Sequence, residues 1–335
     1  MTVPVTATAD VRYSVVVPVY GNRDTLPALV SRFTSIQERL DGEFEAVFVI
    51  DGSPDDSYAV LRDLLDTGPL RAQLITHSRN FGSYAAIRTG LGSARGDYIA
   101  IMAADLQEPP ELTLDFFAWL SSGEYDVGVG ARVGRDDPAR NSIMSRTFWR
   151  GYRRFVMPDI PNGGVDIFAC TRQVAAQLTA MHESHTSMVA QLFWLGYRRV
   201  EVPYQRLARP SGRSGWSMRR RVKYMLDSIF AFTNLPITVL VLIGALGLLG
   251  SAVAATTVFV IWATGGISVP GYTALMLVTL LIGSSLLTGL GVVGSYVWRT
   301  YENSKGRPFA VSRSHELFAA PDSAWLRGDG HGPLE

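Results

Sequence analysis

Between Asp227 and Arg299 the chain carries no Asp, Glu, Lys or Arg. That gap of roughly seventy residues has room for two apolar helices of about twenty residues each. The first candidate helix runs from Leu235 to Trp262 and the second from Ala274 to Trp298, separated by the Gly/Pro-rich break Thr264-Gly265-Gly266-Ile267-Ser268-Val269-Pro270-Gly271. Trp262, Tyr272, Tyr296 and Trp298 fall near the ends of these runs, where interfacial aromatic residues belong. Buried helices of a soluble protein are the alternative, but they are seldom free of charge over such a length.

The flanks set the orientation. Arg219, Arg220, Arg221 and Lys223 precede the first run, and Arg299, Lys305, Arg307 and Arg313 follow the second, while the connection between the runs has no basic residue. Positive flanks stay on the cytoplasmic side, so a hairpin that dips across the bilayer and returns is expected. Met1 to Arg12 lacks the apolar centre of a signal peptide. The expectation is a multi-pass protein of the inner (plasma) membrane, with its large first domain and both termini cytoplasmic. Four parts follow: a domain over 1–216, an interfacial amphipathic helix over 217–233, the two-helix transmembrane hairpin over 234–300, and a cytoplasmic tail over 301–335. The segment Met218 to Phe232 mixes basic residues with Tyr224, Met225, Leu226, Ile229 and Phe230, as in an amphipathic helix lying in the headgroup layer.

A formal net charge of +1 gives no bulk attraction for a polyanion, and no nucleic-acid partner is expected. The single cysteine, Cys170, excludes an intrachain disulfide framework and a thiolate zinc cluster. It lies in the apolar run Asp166-Ile167-Phe168-Ala169-Cys170 and reads as a small core residue.

The first hundred residues alternate two patterns. Apolar runs at Tyr13–Tyr20, Phe44–Ile50, Gln73–Thr76 and Asp97–Met102 predict strands; helical patterns at Leu26–Leu40, Ser57–Leu65 and Ser83–Leu91 separate them. Alternation of this kind argues for an α/β fold with a mostly parallel sheet joined by helical crossovers. The strands are apolar on both faces, as a sheet covered on two sides requires. Polar residues collect at the strand ends: Asp51 after the second, Arg79-Asn80-Phe81-Gly82 after the third, and Asp105, Gln107 and Glu108 after the fourth. In open α/β sheets ligands bind beyond these carboxyl ends. Asp51 is placed to accept hydrogen bonds from a base or ribose, and Asp105 to face a metal–diphosphate. Each also suits an ordinary turn or helix cap.

Taken together, these segments resemble the family 2 inverting glycosyltransferases of GT-A fold, and most closely the polyprenyl-phosphate glycosyltransferases. Val15–Asn22 (VVVPVYGN) is similar to that family's opening strand, Val49–Ser57 (VIDGSPDDS) to its nucleotide segment, and Ser78–Ala86 (SRNFGSYAA) to its third motif. Ala103–Glu111 (AADLQEPPE) resembles the metal motif, and Arg206–Trp216 (RLARPSGRSGW) the basic segment before the membrane helices. The resemblance implies a GT-A domain followed by two transmembrane helices. It implies a nucleotide-sugar donor, with UDP-hexose the first choice, a polyprenyl-phosphate acceptor at the membrane, and Mg2+ or Mn2+ as cofactor.

Carried onto this chain, the resemblance gives Pro18, Tyr20, Asp51, Asn80 and Asp105 to the nucleotide-sugar, and Asp105 and Gln107 to the metal. It gives Arg132, Arg146, Arg206, Arg209 and Ser214 to the acceptor phosphate. Asp105, Asp166 and Arg132 become the groups at the reacting centre. The chain departs from the family where Ala103 replaces the first acid of a DxD motif and Ile50 the first of a paired acid. Ala103 keeps an alternative open, a catalytically weak or inactive membrane-anchored nucleotide-sugar binder or assembly partner. Gly283, Gly289, Gly291 and Gly294 allow close helix packing within a chain or between copies in a homo-oligomer.

Overall fold

The computed structural model describes residues 11–132, 161, 165, 167–183, 186–207, 235–264 and 272–318. They form two compact units, one holding the sheet and the final strand, the other the two long helices.

In the first unit the chain runs β1 (Tyr13–Val19), α1 (Leu26–Arg39), β2 (Phe44–Ile50), α2 (Ser57–Thr67), β3 (Ala72–His77), α3 (Ser83–Ser93) and β4 (Tyr98–Ile101). It continues through α4 (Pro110–Ser121), β5 (Val127–Arg132), β6 (Phe168–Thr171), α5 (Arg172–Ala180), α6 (Met188–Trp194) and β7 (Arg199–Tyr204). After the second unit's helices, α7 (Leu235–Ala263) and α8 (Tyr272–Ser304), the chain ends its described course in β8 (Ser312–Phe318).

The eight strands form one sheet in the order β7-β5-β6-β4-β1-β2-β3-β8. β1 pairs in parallel with β2 and β4, β2 with β3, and β5 with β7; only β6 and β8 run against their neighbours. The expected mostly parallel α/β sheet is therefore present, and six strands deliver their carboxyl ends to one edge.

Residue type explains the layers. Every residue of β2 is buried, as is every described core position from Val15 to Val17 and at Val19, because helices cover both faces. α1 turns Leu26, Leu29, Val30, Phe33 and Ile36 onto the sheet at helical spacing. Phe33 rests against Phe44 and Phe48 at ring separations of 5.9 Å. In β5 the glycines make room for neighbours: a Cβ on Gly128 would meet Phe116 Cδ1 at 2.7 Å, and one on Gly130 would meet Tyr204 Cε1 at 3.0 Å. Cys170 is fully buried, and burial pushes its thiol up to about 12, consistent with the packing role expected of it.

A polar thread crosses the amino-terminal side of the sheet. The buried carboxylate of Glu45 accepts from Ser14 Oγ at 2.7 Å, Gln73 Nε2 at 3.0 Å and the Arg95 amide at 2.6 Å. Gln73 Oε1 lies 2.8 Å from His315 Nε2 of β8. The chain that follows α8 is thus stitched to β3 by side chains as well as by its ladder, a return that the tail's polar sequence did not announce.

α7 and α8 are 29 and 33 residues long, and many of their large apolar side chains are exposed, Leu287 at 71 %. Among the described residues no helix is long and apolar enough to cross a membrane. The interfacial helix expected over 217–233 lies outside the described residues.

Candidate active site

Two loops at the carboxyl edge are locked together by one carboxylate. Asp51, 3 % exposed, follows β2. Its Oδ1 accepts from the Phe81 amide at 2.8 Å and lies 2.8 Å from His77 Nδ1, while Oδ2 accepts from the Gly82 amide at 2.7 Å. His77, at the end of β3, reaches Thr89 Oγ1 at 3.0 Å through its other nitrogen. Burial raises the Asp51 carboxyl, but the hydrogen bonds from His77, Phe81 and Gly82 outweigh it and hold the group below its ordinary value. Gly52 has φ +59°, and a Cβ there would sit 2.4 Å from the backbone of Arg79 and Asn80. Only glycine permits both the conformation and the approach.

The loop after β1 is fastened beside them. The Gly21 amide donates to Ser53 Oγ at 2.8 Å and the Arg23 amide to Asp55 Oδ2 at 3.1 Å. Asp55 Oδ1 accepts from Ser53 and Ser57 hydroxyls, both at 2.6 Å. Tyr20 and Asn80 remain exposed on these loops, and Pro18 is half-buried. Pro18, Tyr20, Asp51 and Asn80 are therefore gathered at the ends of β1, β2 and β3.

After β4 the chain makes a tight turn. Thr25 Oγ1 donates to the Ala104 carbonyl at 2.6 Å. Leu106 then adopts φ +59°, a left-handed conformation that a leucine takes up only at a cost of order 1–3 kcal/mol. The turn sets Asp105 and Gln107 on either side of a buried Leu106, and the Gln107 amide donates to Asp105 Oδ1 at 3.3 Å. The segment after β7 closes over Gln107. Arg206 Nη2 donates to Gln107 Oε1 at 2.6 Å, Gln107 Nε2 to the Leu207 carbonyl at 3.2 Å, and the Leu207 amide to the Gln107 carbonyl at 2.8 Å.

Beneath them lies Glu108, 1 % exposed, its backbone carbonyl accepting from Arg32 Nη1 at 2.7 Å. Burial and the nearby Asp105 push its carboxyl up to about 7, against the pull of Arg206 and Arg132. Arg132 ends β5 and stands in register with Tyr204, the last residue of β7. Tyr204 is buried too, and its hydroxyl is raised by burial and drawn back by Arg132.

Of the residues expected from sequence, Asp105, Gln107, Arg132 and Arg206 come together at this edge. Arg146, Asp166, Arg209 and Ser214 lie outside the described residues. His77, Tyr204 and the strained Leu106 are not marked by the sequence reading, and Glu108 is named there without a role. The rule that located Asp105, polar residues just past parallel strands, would also have marked His77 and Tyr204. Glu108 stood in the motif itself, but its burial is a tertiary fact.

The donor chemistry suits a hard divalent cation. Asp105 and Gln107 offer a carboxylate and an amide oxygen, and Mg2+ and Mn2+ are held by few protein oxygens with substrate phosphates and water completing the shell. Among the described residues there is no cluster of three or more His, Cys, Asp or Glu able to hold a metal without such help.

Comparison with known proteins identifies the family. The glycosyl transferase family 2 profile matches residues 14–178. The putative glycosyltransferase CsbB of Bacillus subtilis is 30 % identical over 88 % of this chain and 89 % of its own length. An undecaprenyl-phosphate 4-deoxy-4-formamido-L-arabinose transferase of Yersinia pestis is 29 % identical over 89 % of this chain and 91 % of its own. Among solved structures, the mannosyltransferase PcManGT of Pyrobaculum calidifontis, in complex with GDP-Man and Mn2+, covers 85 % of this chain and 88 % of its own at TM-score 0.44 and 17 % identity. With its strand-end site and a relative of this identity along nearly its whole length, the chain belongs to glycosyl transferase family 2 and is a glycosyltransferase.

Proposed function

We propose that the protein is a membrane-anchored inverting glycosyltransferase that moves a hexose from a nucleotide-sugar, UDP-hexose as first choice, onto a polyprenyl phosphate. The observation that carries this is the meeting of Asp105 and Gln107, after β4, with Arg132 and Arg206, at the ends of β5 and β7. One pair suits a cation on a diphosphate, the other a phosphate monoester. The relatives named for undecaprenyl-phosphate transfer support the acceptor class.

Asp105 and Gln107 would hold Mg2+ or Mn2+, whose chemistry when bound is to neutralise charge on the departing nucleoside diphosphate. Arg132 and Arg206 grip the acceptor phosphate, a shape that guanidinium groups match. A phosphate oxygen is already anionic at neutral pH, so the site has to orient it rather than deprotonate it. That oxygen attacks the anomeric carbon as the bond from carbon to the diphosphate oxygen breaks, and the configuration inverts. In this scheme Asp51 acts one step back, shaping the Arg79–Gly82 loop against which the nucleoside rests, while Pro18, Tyr20 and Asn80 line that loop's rim.

The membrane anchor is supported by the charge-free run that covers all of α7 and α8 as far as Trp298, and by its exposed apolar side chains. β8 supports an even number of crossings, because the chain beyond α8 rejoins the sheet that began before α7. The catalytic unit and the return strand then lie on one side, the cytoplasmic face of the plasma membrane.

The test is transfer from radiolabelled UDP-hexose to polyprenyl phosphate in membranes containing the protein, with nuclear magnetic resonance of the product. A β-linked glycosyl phosphate formed from an α-linked donor is expected. Retention of configuration would sink the mechanism, and transfer only to an uncharged lipid hydroxyl would sink the acceptor.

A further inference from the structure

Among the described residues, two buried polar atoms at the carboxyl edge make no hydrogen bond of good geometry, although Arg132 acts on both. They are Glu108 Oε2 and the Tyr204 hydroxyl, on residues 1 % and 4 % exposed. Arg132 faces both, and Arg206 also acts on both from the segment that follows β7. A buried oxygen left without a hydrogen bond costs free energy on the order of 1–3 kcal/mol, so two that share neighbours mark a place where a ligand completes the network. The place is also rigid. Arg32 holds the Glu108 backbone, Gly130 leaves the room that the Tyr204 ring takes, and the β5–β7 ladder fixes Arg132 beside Tyr204.

The charges select the ligand. A cation seated on Glu108 would meet two guanidinium groups, and a phosphate seated on it would meet a carboxyl oxygen. A neutral hydroxyl suits both: it donates to the carboxyl oxygen and accepts from tyrosine or arginine. We propose that Glu108 and Tyr204 form a subsite for hydroxyl groups of the transferred sugar, making them specificity-determining residues of the transfer. This rests on placing sugar transfer at the Asp105–Arg132 edge.

The experiment uses the full-length protein in membranes and two conservative variants, Glu108→Gln and Tyr204→Phe, each checked for an unchanged melting profile. UDP-glucose, its monodeoxy analogues and UDP alone are the probes, with GDP-mannose and its analogues replacing them if UDP-glucose does not bind. Binding is measured by calorimetry and transfer by kcat/KM. Each variant is expected to lose about ten- to hundredfold in kcat/KM with the full sugar, as when a buried group loses its partner, and about twofold or less with one particular deoxy analogue. Affinity for the nucleoside diphosphate alone is expected to stay unchanged.

Equal losses with every analogue would overturn the proposal in favour of a purely structural role. No loss with any donor would overturn it in favour of an ordered water. If wild-type protein binds the nucleotide-sugar but transfers nothing to polyprenyl phosphate, the acceptor assignment fails. The binding arm still decides the subsite, since the variants then lose or keep the affinity that the sugar adds over the diphosphate.

Discussion

Arg206 Nη2 donates a 2.6 Å hydrogen bond to Gln107 Oε1, the amide oxygen that the metal motif offers. A guanidinium and a divalent cation on one oxygen repel each other, so the two sites expected from sequence are coupled through a single atom. In the proposed mechanism, filling the metal position would weaken the hold on Arg206 and free its charge for an anionic acceptor.

The coupling can be measured. Arg206→Ala is expected to tighten Mn2+ binding in the presence of UDP by about tenfold, or about 1.4 kcal/mol, and to raise the KM for polyprenyl phosphate. Electron paramagnetic resonance of free Mn2+ reads the first effect and steady-state kinetics the second. Unchanged or weaker Mn2+ binding would remove the competition.

Asp105 carries the metal assignment without help from position 103, which is alanine. Asp105→Asn, a neutral isostere on a half-buried side chain, is expected to lower kcat by about 10²–10³-fold while the fold is kept. Circular dichroism and a thermal melt check the fold. Transfer at the wild-type rate would place the metal elsewhere.

Much of this site was legible because strand ends and turn chemistry are local. The run Ile99–Met102 followed by Asp105 needed no tertiary knowledge, whereas Arg132 was reached only through the family resemblance, since the strand it ends was not predicted. Three features were not legible, each for a stated reason. Glu108 is an acid in a loop, and its burial follows from tertiary packing, which includes Arg32 of α1 on its backbone carbonyl. Leu106 takes a left-handed conformation against its own preference, so propensity points the wrong way. β8 is a polar strand whose location is set by the open edge of β3, more than two hundred residues earlier. Asp51 reads from sequence as a strand-end acid, and sequence does not distinguish a nucleoside contact from a carboxylate engaged by His77, Phe81 and Gly82.

Asp51 ties stability to pH. Its folded-state carboxyl is held below the ordinary value, so ionised Asp51 stabilises the fold above the unfolded-state value and this contribution fades as pH drops toward the folded one. The stabilisation is expected to be complete above about pH 5 and to fall away below about pH 4. Asp51→Asn is expected to cost about 2–3 kcal/mol at pH 7 and to flatten that acid-side dependence. Urea melts of both proteins between pH 3 and 7 test it; parallel pH profiles would mean that Asp51 adds nothing through its charge.

The β3–β8 pairing makes the end of the described chain part of the catalytic unit. Thr76 and Ser314 hydroxyls lie 2.6 Å apart, Tyr58 donates to Glu316 Oε1 at 2.6 Å, and Phe318 packs against the core. Without β8, β3 becomes an uncovered edge with an apolar face, a template for pairing with other chains. Deleting residues 312–335 is therefore expected to lower the melting temperature and to cause self-association that light scattering detects. Phe318→Ala should cost about 1–2 kcal/mol, since its ring is only partly buried, and should leave the protein dispersed. A deletion variant as stable and as monodisperse as the full chain would show that β8 only decorates the edge, and that the return of the chain after α8 is not needed to hold β3 in place.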